Sequence, residues 1–247
     1  MNLILLEQNE INGTSVVLAD RRAKHLRKVL RVLPGDTVRV GIVNGPMGSG
    51  TVREIDQERV ALDLEIGVMP TAPPPLCLVL ALPRPIMLKR VLAQATSLGV
   101  SEIHLIMAGR VEKSFFKASL LEKESLRDCL KLGLEQAVDT RLPIIQVHRK
   151  FKPFAEDLLP EIAANYPIRL LAHPDPESGE PRPVFANRET PALVAIGPEG
   201  GWVDFEVDLF RKQGLETFSL GPRILRVDTA VPAILSQILL LRELAAD

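Results

Sequence analysis

Aromatic residues, cysteines and net charge are all scarce in this chain of 247 residues, and each shortage narrows the range of functions. Aromatic side chains make up only 4% of the sequence, so broad stacking platforms for nucleic-acid bases are not indicated. The formal net charge of −1 means that any nucleic-acid partner must be bound by a local basic patch. Cys77 and Cys129 do not have the spacing of a metal site, so we expect free buried thiols and no metal.

Long apolar runs are also lacking. No segment reaches the about 18 consecutive apolar residues that span a bilayer, so no membrane contact is expected. The first ten residues, MNLILLEQNE, contain no basic stretch followed by a long apolar run, so no signal peptide is expected. Together with the unpaired cysteines, these features predict a cytoplasmic protein.

Residues 1–69 have the pattern of short strands separated by turns. The turn signals are Asn12-Gly13, Pro34-Gly35-Asp36 and Asn44-Gly45-Pro46, and the segments between them are apolar or alternating. Short strands at this spacing predict a small β-barrel.

One segment of this region, from Asp20 to Arg31, predicts a short helix with Asp20 as its N-cap. Residues 21–31 contain six lysines and arginines and no acidic residue. They form either a solvated helix face or a contact to phosphates, which attract clustered cations without regard to sequence. His25 lies among these cations, and a polar contact is favoured over a catalytic role.

Four prolines between Gly67 and Leu76 indicate a linker, because proline lacks an N–H and stiffens the chain. Strand and helix patterns alternate through residues 76–247, which predicts a parallel sheet with helices on both faces. One helix is expected from Phe115 to Val138. The last is expected to be capped by Thr229, with Pro232 where no helical bond is lost. This apolar helix either lies in the core or packs one face on a second copy of the protein.

Two glycine-bearing stretches follow predicted strands near the C-terminus. They run from Ala192 to Trp202, ALVAIGPEGGW, and from Leu220 to Ala230, LGPRILRVDTA. Neither has the Gly-Lys-Ser/Thr end of a P-loop or the GxGxxG pattern, so nucleoside triphosphate and nicotinamide sites are not indicated. Glycine lets a ligand approach the backbone, and ligands of open α/β sheets bind beyond the C-terminal ends of the strands. The two stretches are therefore expected to form two walls of one ligand site.

AIGPEGGW and SLGPRILRVDTA together resemble the paired signature of the RsmE family. These are methyltransferases of the SPOUT superfamily that methylate N3 of a uracil in small-subunit (16S) ribosomal RNA. Other stretches also fit the family's pattern: QATSLGV at 94–100, Glu135-Gln136 with Arg141 and Pro143, and the segment from His25 to Asp36. The resemblance covers nearly the whole chain. Asp228 departs from it, since the family usually has glutamate there, and the role of this side chain stays open.

The resemblance implies a PUA-like RNA-binding β-barrel over residues 1–69 and a SPOUT α/β domain with a parallel sheet over residues 76–247. It further implies a C-terminal trefoil knot near residues 192–244, S-adenosylmethionine as the methyl donor, and a homodimer through the SPOUT domain. The implied substrate is 16S rRNA or the small ribosomal subunit. There are two alternatives. One is a relative that acts on another nucleotide or on a ribose 2′-hydroxyl, and the other is a non-catalytic RNA-binding protein.

The expected site residues follow from this resemblance and from the chemistry of methyl transfer. Arg226 is the expected catalytic residue, because a cation would stabilise negative charge on the uracil or bind its phosphate. An ion pair with Asp228 or Glu199 is the alternative, and no general base is assigned. The residues expected to bind the cofactor are Leu171, Ala172, His173, Ile196, Gly197, Pro198, Glu199, Gly200, Gly201, Leu220, Gly221, Ile224, Leu225 and Ala230. The residues expected to bind RNA are Arg21, Arg22, Lys24, His25, Arg27, Lys28, Arg31, Arg110 and Arg223, although Arg110 could instead lie in a solvated loop.

Overall fold

The computed structural model describes residues 2–173 and 183–245, in which the chain forms two compact units. The first unit consists of Met1–Ala72 and Leu130–Leu142, and the second of Pro73–Cys129 and Pro143–Asp247. The chain passes from the first to the second unit within the proline-rich segment 67–76. The sequence predicts a polar loop rich in Pro, Gly and Glu from His173 to Arg188, and its part over residues 174–182 lies outside the described residues. Within the described ranges, no helix is both long and apolar enough to cross a membrane.

The first unit is built on one five-stranded sheet in the order β1-β3-β4-β5-β2. Its strands are β1 (Ile4–Leu6), β2 (Ser15–Leu18), β3 (Thr37–Ile42), β4 (Met47–Ile55) and β5 (Val60–Val68). β1 pairs with β3 in parallel, and the other neighbours are antiparallel. Alternate strand residues enter one core, which includes Leu6, Leu18 and Leu62. Short strands separated by turns are present as expected, and closure of the sheet into a barrel stays a prediction.

The basic segment begins as the expected helix, α1 (Arg21–His25). Asp20 is its N-cap, because its carboxylate accepts a 2.8 Å hydrogen bond from the backbone N–H of Arg22. The helix then widens into a π-helical turn over Leu26–Leu30, with Leu26 completely buried. It ends at Arg31, whose φ of 54° is in the left-handed region.

Residues 130–142 give the first unit a second, smaller core. Leu134 packs there with Leu3 and Leu5. The hydroxyl of Thr140 donates a 2.7 Å hydrogen bond to the carbonyl of Gly45, which ties the end of this segment to the turn before β4. These residues fall within the range 76–247 expected for the second domain, because a helical pattern does not show which sheet its apolar face will cover.

The second unit contains a six-stranded sheet in the order β11-β9-β10-β6-β7-β8, in which every pair is parallel. The strands are β6 (Leu76–Ala81), β7 (Glu102–Ile106), β8 (Ile144–His148), β9 (Ile168–Ala172), β10 (Ala192–Ile196) and β11 (Glu216–Phe218). The helices after α1 are α2 (Pro85–Ser97), α3 (Lys123–Ala137), α4 (Phe151–Pro153), α5 (Leu159–Ala163), α6 (Asp204–Lys212) and α7 (Val227–Leu244). The parallel α/β sheet expected from the alternating pattern is confirmed.

The helix expected from Phe115 to Val138 is wrong at its N-terminal end. Two short 3₁₀ turns occupy Lys113–Lys117 and Ser119–Leu121, and α3 begins only at Lys123. Phe116 is buried in the first of these turns, whose backbone is tighter than that of an α-helix.

The start of the last helix also differs from the expectation. The backbone N–H groups of Thr229 and Ala230 both donate to the carbonyl of Arg226, at 2.9 and 2.7 Å, so α7 begins at Val227. Pro232 consequently lies inside the helix, where it removes a backbone donor. Helix α7 packs against α2 and β10, which explains why so much of its surface is apolar.

Candidate active site

Three neighbouring strands of the second unit end at the same edge of the sheet. Ile196 at the end of β10 and Phe218 at the end of β11 are both in register with Ala172 at the end of β9. The glycine-bearing stretches are the loops that follow β10 and β11. The parallel sheet therefore brings these two stretches together, at the edge where α/β proteins bind ligands.

The loops enclose an open pocket of about 740 Å³, part of which is continuous with solvent. Most of the predicted cofactor residues line it: Ala172, His173, Ile196, Gly197, Pro198, Glu199, Gly201, Leu220, Gly221, Ile224, Leu225 and Ala230. Two predicted residues do not. Leu171 is completely buried within the sheet, and Gly200 faces Arg110 at a neighbouring cavity.

Trp202 packs directly against Gly197. A Cβ at Gly197 would lie 3.1 to 3.2 Å from three atoms of the Trp202 indole, which is too close for an ordinary contact. The indole is only 3% exposed and meets the ring of Phe210 edge-on, with centroids 4.9 Å apart. Among the described residues, none accepts a hydrogen bond from the buried Trp202 Nε1. The absence of a side chain at Gly197 thus lets the Trp202 indole form one wall of the pocket. The indole N–H donates no hydrogen bond to a described residue.

Sequence reasoning missed several lining residues, and Arg223, predicted as an RNA contact, also lines the pocket. The missed residues are Trp202, Phe218, Ser219, Val227 and Ile234. Trp202 and Val227 belong to the glycine-bearing stretches and Phe218 and Ser219 directly precede the second, so their positions in the sequence could have found these four. Ile234 gives no such signal, because it reaches the pocket from the body of α7.

A buried carboxylate connects the loop after β10 with the loop after β7. Glu206, which is 2% exposed, accepts hydrogen bonds from the backbone N–H groups of Gly109, at 2.7 Å, and Val203, at 3.0 Å. Arg110 adds a second connection, because its guanidinium donates to the carbonyl of Gly200. Arg110 is thus tied to the loop after β10 and remains exposed at its surface.

A second cavity adjoins the pocket and shares Glu199, Ile224 and Leu225 with it. Its other lining residues are Arg84, Ile86, Met87 and Arg226. The side chains of Ile86 and Ile224 are 85% and 90% exposed, which is unusual for isoleucine. Arg84 Nε lies 3.3 Å from Glu199 Oε2, so an ion pair narrows the border between the two cavities.

Arg226 projects into the second cavity with 70% of its side chain exposed. Its Nε lies 3.4 Å from Asp228 Oδ1, and its terminal nitrogen lies 3.7 Å from the sulfur of Met87. The other oxygen of Asp228 lies 3.8 Å from a terminal nitrogen of Arg90. Asp228 is in the first turn of α7, where a negative charge is favoured by the helix dipole. The ion pair with Asp228 is formed, whereas Glu199 pairs with Arg84.

Comparison with known proteins identifies the family. Residues 70–239 match the profile of the RNA methyltransferase domain family. The ribosomal RNA small subunit methyltransferase E of Treponema pallidum (strain Nichols) is 32% identical over 97% of this chain and 91% of its own length. A protein of Borreliella burgdorferi named ribosomal RNA small subunit methyltransferase E 1 is 24% identical over 94% of this chain and 95% of its own length.

The chain belongs to the ribosomal RNA small subunit methyltransferase E family. The resemblance drawn from the sequence motifs is therefore confirmed. Solved structures share the fold. The methyltransferase E of Neisseria gonorrhoeae, bound to S-adenosylmethionine, has a TM-score of 0.74 at 19% identity, covering 98% of both chains. A Legionella pneumophila protein, also with that cofactor, has a TM-score of 0.76 at 21% identity, covering 96% of both chains.

In the present protein, the cations of the basic segment of the first unit divide into two groups. Arg21 and Arg22 are engaged within the unit. Arg21 forms a two-bond ion pair with Glu135, at 2.6 and 2.8 Å. Arg22, which is 8% exposed, bonds to Glu10, Asp20 and the Leu5 carbonyl. These contacts raise the pKa of the Arg22 guanidinium against the opposing effect of its burial.

The other cations of the segment face solvent. Lys24, Lys28 and Arg31 are exposed, and Arg27 is half-buried. His25 is half-buried too, and no described residue is a hydrogen-bond partner of its buried Nε2. The side chains that can reach a phosphate are thus those after the first turn of α1.

Proposed function

We propose that this protein methylates N3 of a uracil in 16S ribosomal RNA, with S-adenosylmethionine as the methyl donor. The observation that carries the proposal is the union of the two glycine-bearing loops into one pocket, with Arg226 in the cavity beside it. Membership of the methyltransferase E family supports the same reaction.

The pocket suits this cofactor by its chemistry. Backbone groups of Gly197, Leu220 and Gly221 would bind the polar edge of an adenine, and the unpaired Trp202 Nε1 offers one further donor. Apolar side chains, among them Ile196, would cover its ring. When bound there, the cofactor supplies an electrophilic methyl group.

The protein's own contribution to the reaction is positioning and charge. Uracil N3 carries a proton, and negative charge develops on the base as that proton is lost. The Arg226 guanidinium would stabilise this charge or hold the target phosphate, because it is exposed beside the pocket. The ion pair with Asp228 restricts the positions that the Arg226 guanidinium can take, and Arg90 in turn neutralises the charge of Asp228.

The second cavity is the proposed site of the target base. It adjoins the pocket at the shared Glu199, Ile224 and Leu225, so a base there would lie next to the bound cofactor. Ile86, Met87 and Ile224 supply an apolar surface of the kind that covers the flat face of a flipped-out base. The strong exposure of Ile86 and Ile224 would then be relieved by the substrate.

We further propose that the first unit is a PUA-like barrel that binds rRNA through Lys24, Arg27, Lys28 and Arg31. Their shared side of the basic segment and their lack of acidic neighbours within it support this. Arg21 and Arg22 would instead fix the segment to its own unit. Arg110 and Arg223, near the pocket, would contact the RNA around the target base.

A trefoil knot in residues 192–244, a homodimer and a cytoplasmic location complete the proposal. The order β11-β9-β10 in the sheet, with α7 returning against α2, is compatible with a knotted C-terminal segment. Exposed Leu240 and Leu244 on α7 would be covered by the same helix of a second copy. An rRNA substrate places the protein in the cytoplasm, where ribosomes are assembled.

An Arg226→Ala variant tests the assignment. We expect calorimetry to show unchanged S-adenosylmethionine affinity, because Arg226 does not line the pocket, and methyl transfer to small subunits to fall about 100-fold or more. Arg211→Ala is the matched control, since Arg211 is an exposed arginine that lines neither cavity.

Mapping of the modified nucleotide decides the reaction itself. Mass spectrometry of rRNA methylated in vitro should place the new methyl group on uracil N3. A methyl group on a ribose or another base would contradict the proposed chemistry. Folded wild-type protein that binds no S-adenosylmethionine would favour a non-catalytic RNA-binding protein. Full turnover by Arg226→Ala would remove Arg226 from the mechanism.

A further inference from the structure

A cluster of metal-ligand side chains lies on one face of the second unit's sheet, apart from the pocket. Cys77 on β6 and Glu102 on β7 are register partners, so their side chains point to the same face. His104 is two residues beyond Glu102 on β7 and shares that face. Cys77 and Glu102 belong to the N-terminal ends of their strands, whereas the pocket lies at C-terminal strand ends.

The three ligand atoms, a thiol sulfur, a carboxylate oxygen and an imidazole nitrogen, all lie within 4.8 Å of one another. In a tetrahedral zinc site, bonds of about 2.0 to 2.3 Å place neighbouring ligand atoms roughly 3.3 to 3.7 Å apart. His104 Nε2 and Glu102 Oε1 are already only 3.0 Å apart. Small side-chain rotations would therefore complete three of the four zinc bonds.

Two further side chains hold the ligands as the outer residues of metal sites do. His104 Nδ1 lies 3.0 Å from His148 Nε2, so a histidine bound to metal through Nε2 would donate its other N–H to His148. The Tyr166 hydroxyl donates a 3.0 Å hydrogen bond to Glu102 Oε2, the carboxylate oxygen that does not contact His104. Both contacts orient a ligand while leaving its metal-binding atom available.

We propose that Cys77, Glu102 and His104 bind one Zn²⁺ ion, with His148 and Tyr166 as supporting hydrogen-bond partners. Mixed sulfur, nitrogen and oxygen ligands suit zinc better than magnesium or calcium, which prefer oxygen alone. The fourth position is left to water, which reaches the site along the partly exposed Glu102. The ion would connect β6 to β7 at the N-terminal ends of these strands, at the edge opposite the pocket.

The cluster is buried, since Cys77 has no exposure and His104 only 1%. A zinc ion would replace the thiol proton and neutralise the negative charge that Glu102 brings into the cluster.

The sequence expectation of no metal rested on the two cysteines, Cys77 and Cys129, which lack a metal-site spacing. The cluster uses only one of them. Its other members come from a Glu-x-His pair on the neighbouring strand, and only the strand pairing brings them to the cysteine.

Zinc titration of the full-length, metal-stripped protein tests the proposal. We expect one Zn²⁺ per chain by calorimetry and by elemental analysis of the dialysed complex, together with a rise in Tm. Cys129→Ser is the matched control, because Cys129 is the other buried thiol and lies outside the cluster; it should bind zinc like the wild type. Cys77→Ser should lose the site, and His148→Gln should weaken binding by about tenfold to 100-fold.

Cobalt substitution keeps the test decisive if Cys77→Ser folds poorly. Co²⁺ added to the wild type should give a thiolate-to-metal charge-transfer band, and Glu102→Gln, whose side chain keeps its shape, should weaken or abolish that band. The proposal is overturned if the wild type binds no zinc, if Cys77→Ser and the wild type bind it equally, or if bound Co²⁺ shows no thiolate band.

Discussion

Gly197→Ala is the substitution whose consequences the structure defines most closely. The added methyl carbon would lie 3.1 to 3.2 Å from Trp202 Cε2, Nε1 and Cδ2. The indole cannot simply retreat, because it is 3% exposed and packed edge-on against Phe210. Overpacking of this kind costs about 1 to 3 kcal/mol. Since 1 kcal/mol corresponds to about 2 to 4 °C for a chain of this size, Tm should fall by roughly 2 to 12 °C.

The same substitution should disturb the pocket, because Gly197 and Trp202 both line it. Trp202 is the chain's single tryptophan, so its fluorescence reports the pocket wall directly. We expect Gly197→Ala to shift the emission spectrum and to weaken S-adenosylmethionine binding in calorimetry. Adding Trp202→Phe should recover part of the lost stability, because the smaller ring leaves space for the new methyl group.

Gly67→Ala is the matched control. A Cβ at Gly67 meets nothing within 4 Å, so its effect on unfolding free energy should stay within about 0.5 kcal/mol. If Gly197→Ala matches the wild type in Tm, emission spectrum and cofactor affinity, then the contact between Gly197 and Trp202 does not shape the pocket, and this reasoning is refuted.

Three further predictions concern groups outside the pocket. Arg22→Met should lower the unfolding free energy by roughly 2 to 4 kcal/mol in urea denaturation, because it leaves the carboxylates of Glu10 and Asp20 without their buried cation; an effect under 1 kcal/mol would contradict this. Burial lowers the pKa of His148 from 6.5 to about 4. As pH falls from 6.5 to 4, the unfolded chain therefore binds a proton at His148 before the folded protein does. The unfolding free energy should fall by at most about 3 kcal/mol over this pH range in metal-free buffer. His148→Gln should flatten that slope, and an unchanged slope would count against it. Lys28→Gln should reduce the slope of log affinity for rRNA against log salt by about 0.7 to 0.9, whereas an unaltered salt dependence would exclude a phosphate contact.

Much of the architecture follows from local sequence. Alternating strand and helix patterns after the proline-rich segment led to the parallel sheet, and three turn signals separated the first four strands of the first unit. Asp20 was recognisable as a helix cap from its chemistry and position. These features depend on backbone propensity and on the spacing of apolar residues, and both are properties of a short segment.

Local sequence was less informative where a boundary depended on packing. Phe116 is buried, and the turns around it replace the first part of the expected long helix. The last helix was instead expected to begin too late, at Thr229, which is a good capping residue. Thr229 lies inside α7, because the helical hydrogen bonds begin at the carbonyl of Arg226. Capping propensities are worth about 1 kcal/mol, so tertiary contacts readily override them.

The residues and their order along the chain supply the chemical groups: two glycine-bearing loops at strand ends, a cluster of cations and an arginine near the second loop. Folding then brought some of these groups together and separated others. It joined the loops across β9, removed Arg22 from the exposed cations, placed Trp202 beneath Gly197 and brought Cys77 to Glu102. Such pairings depend on strand order and register, which are set by the burial of the whole core, and no single segment of the chain contains that information.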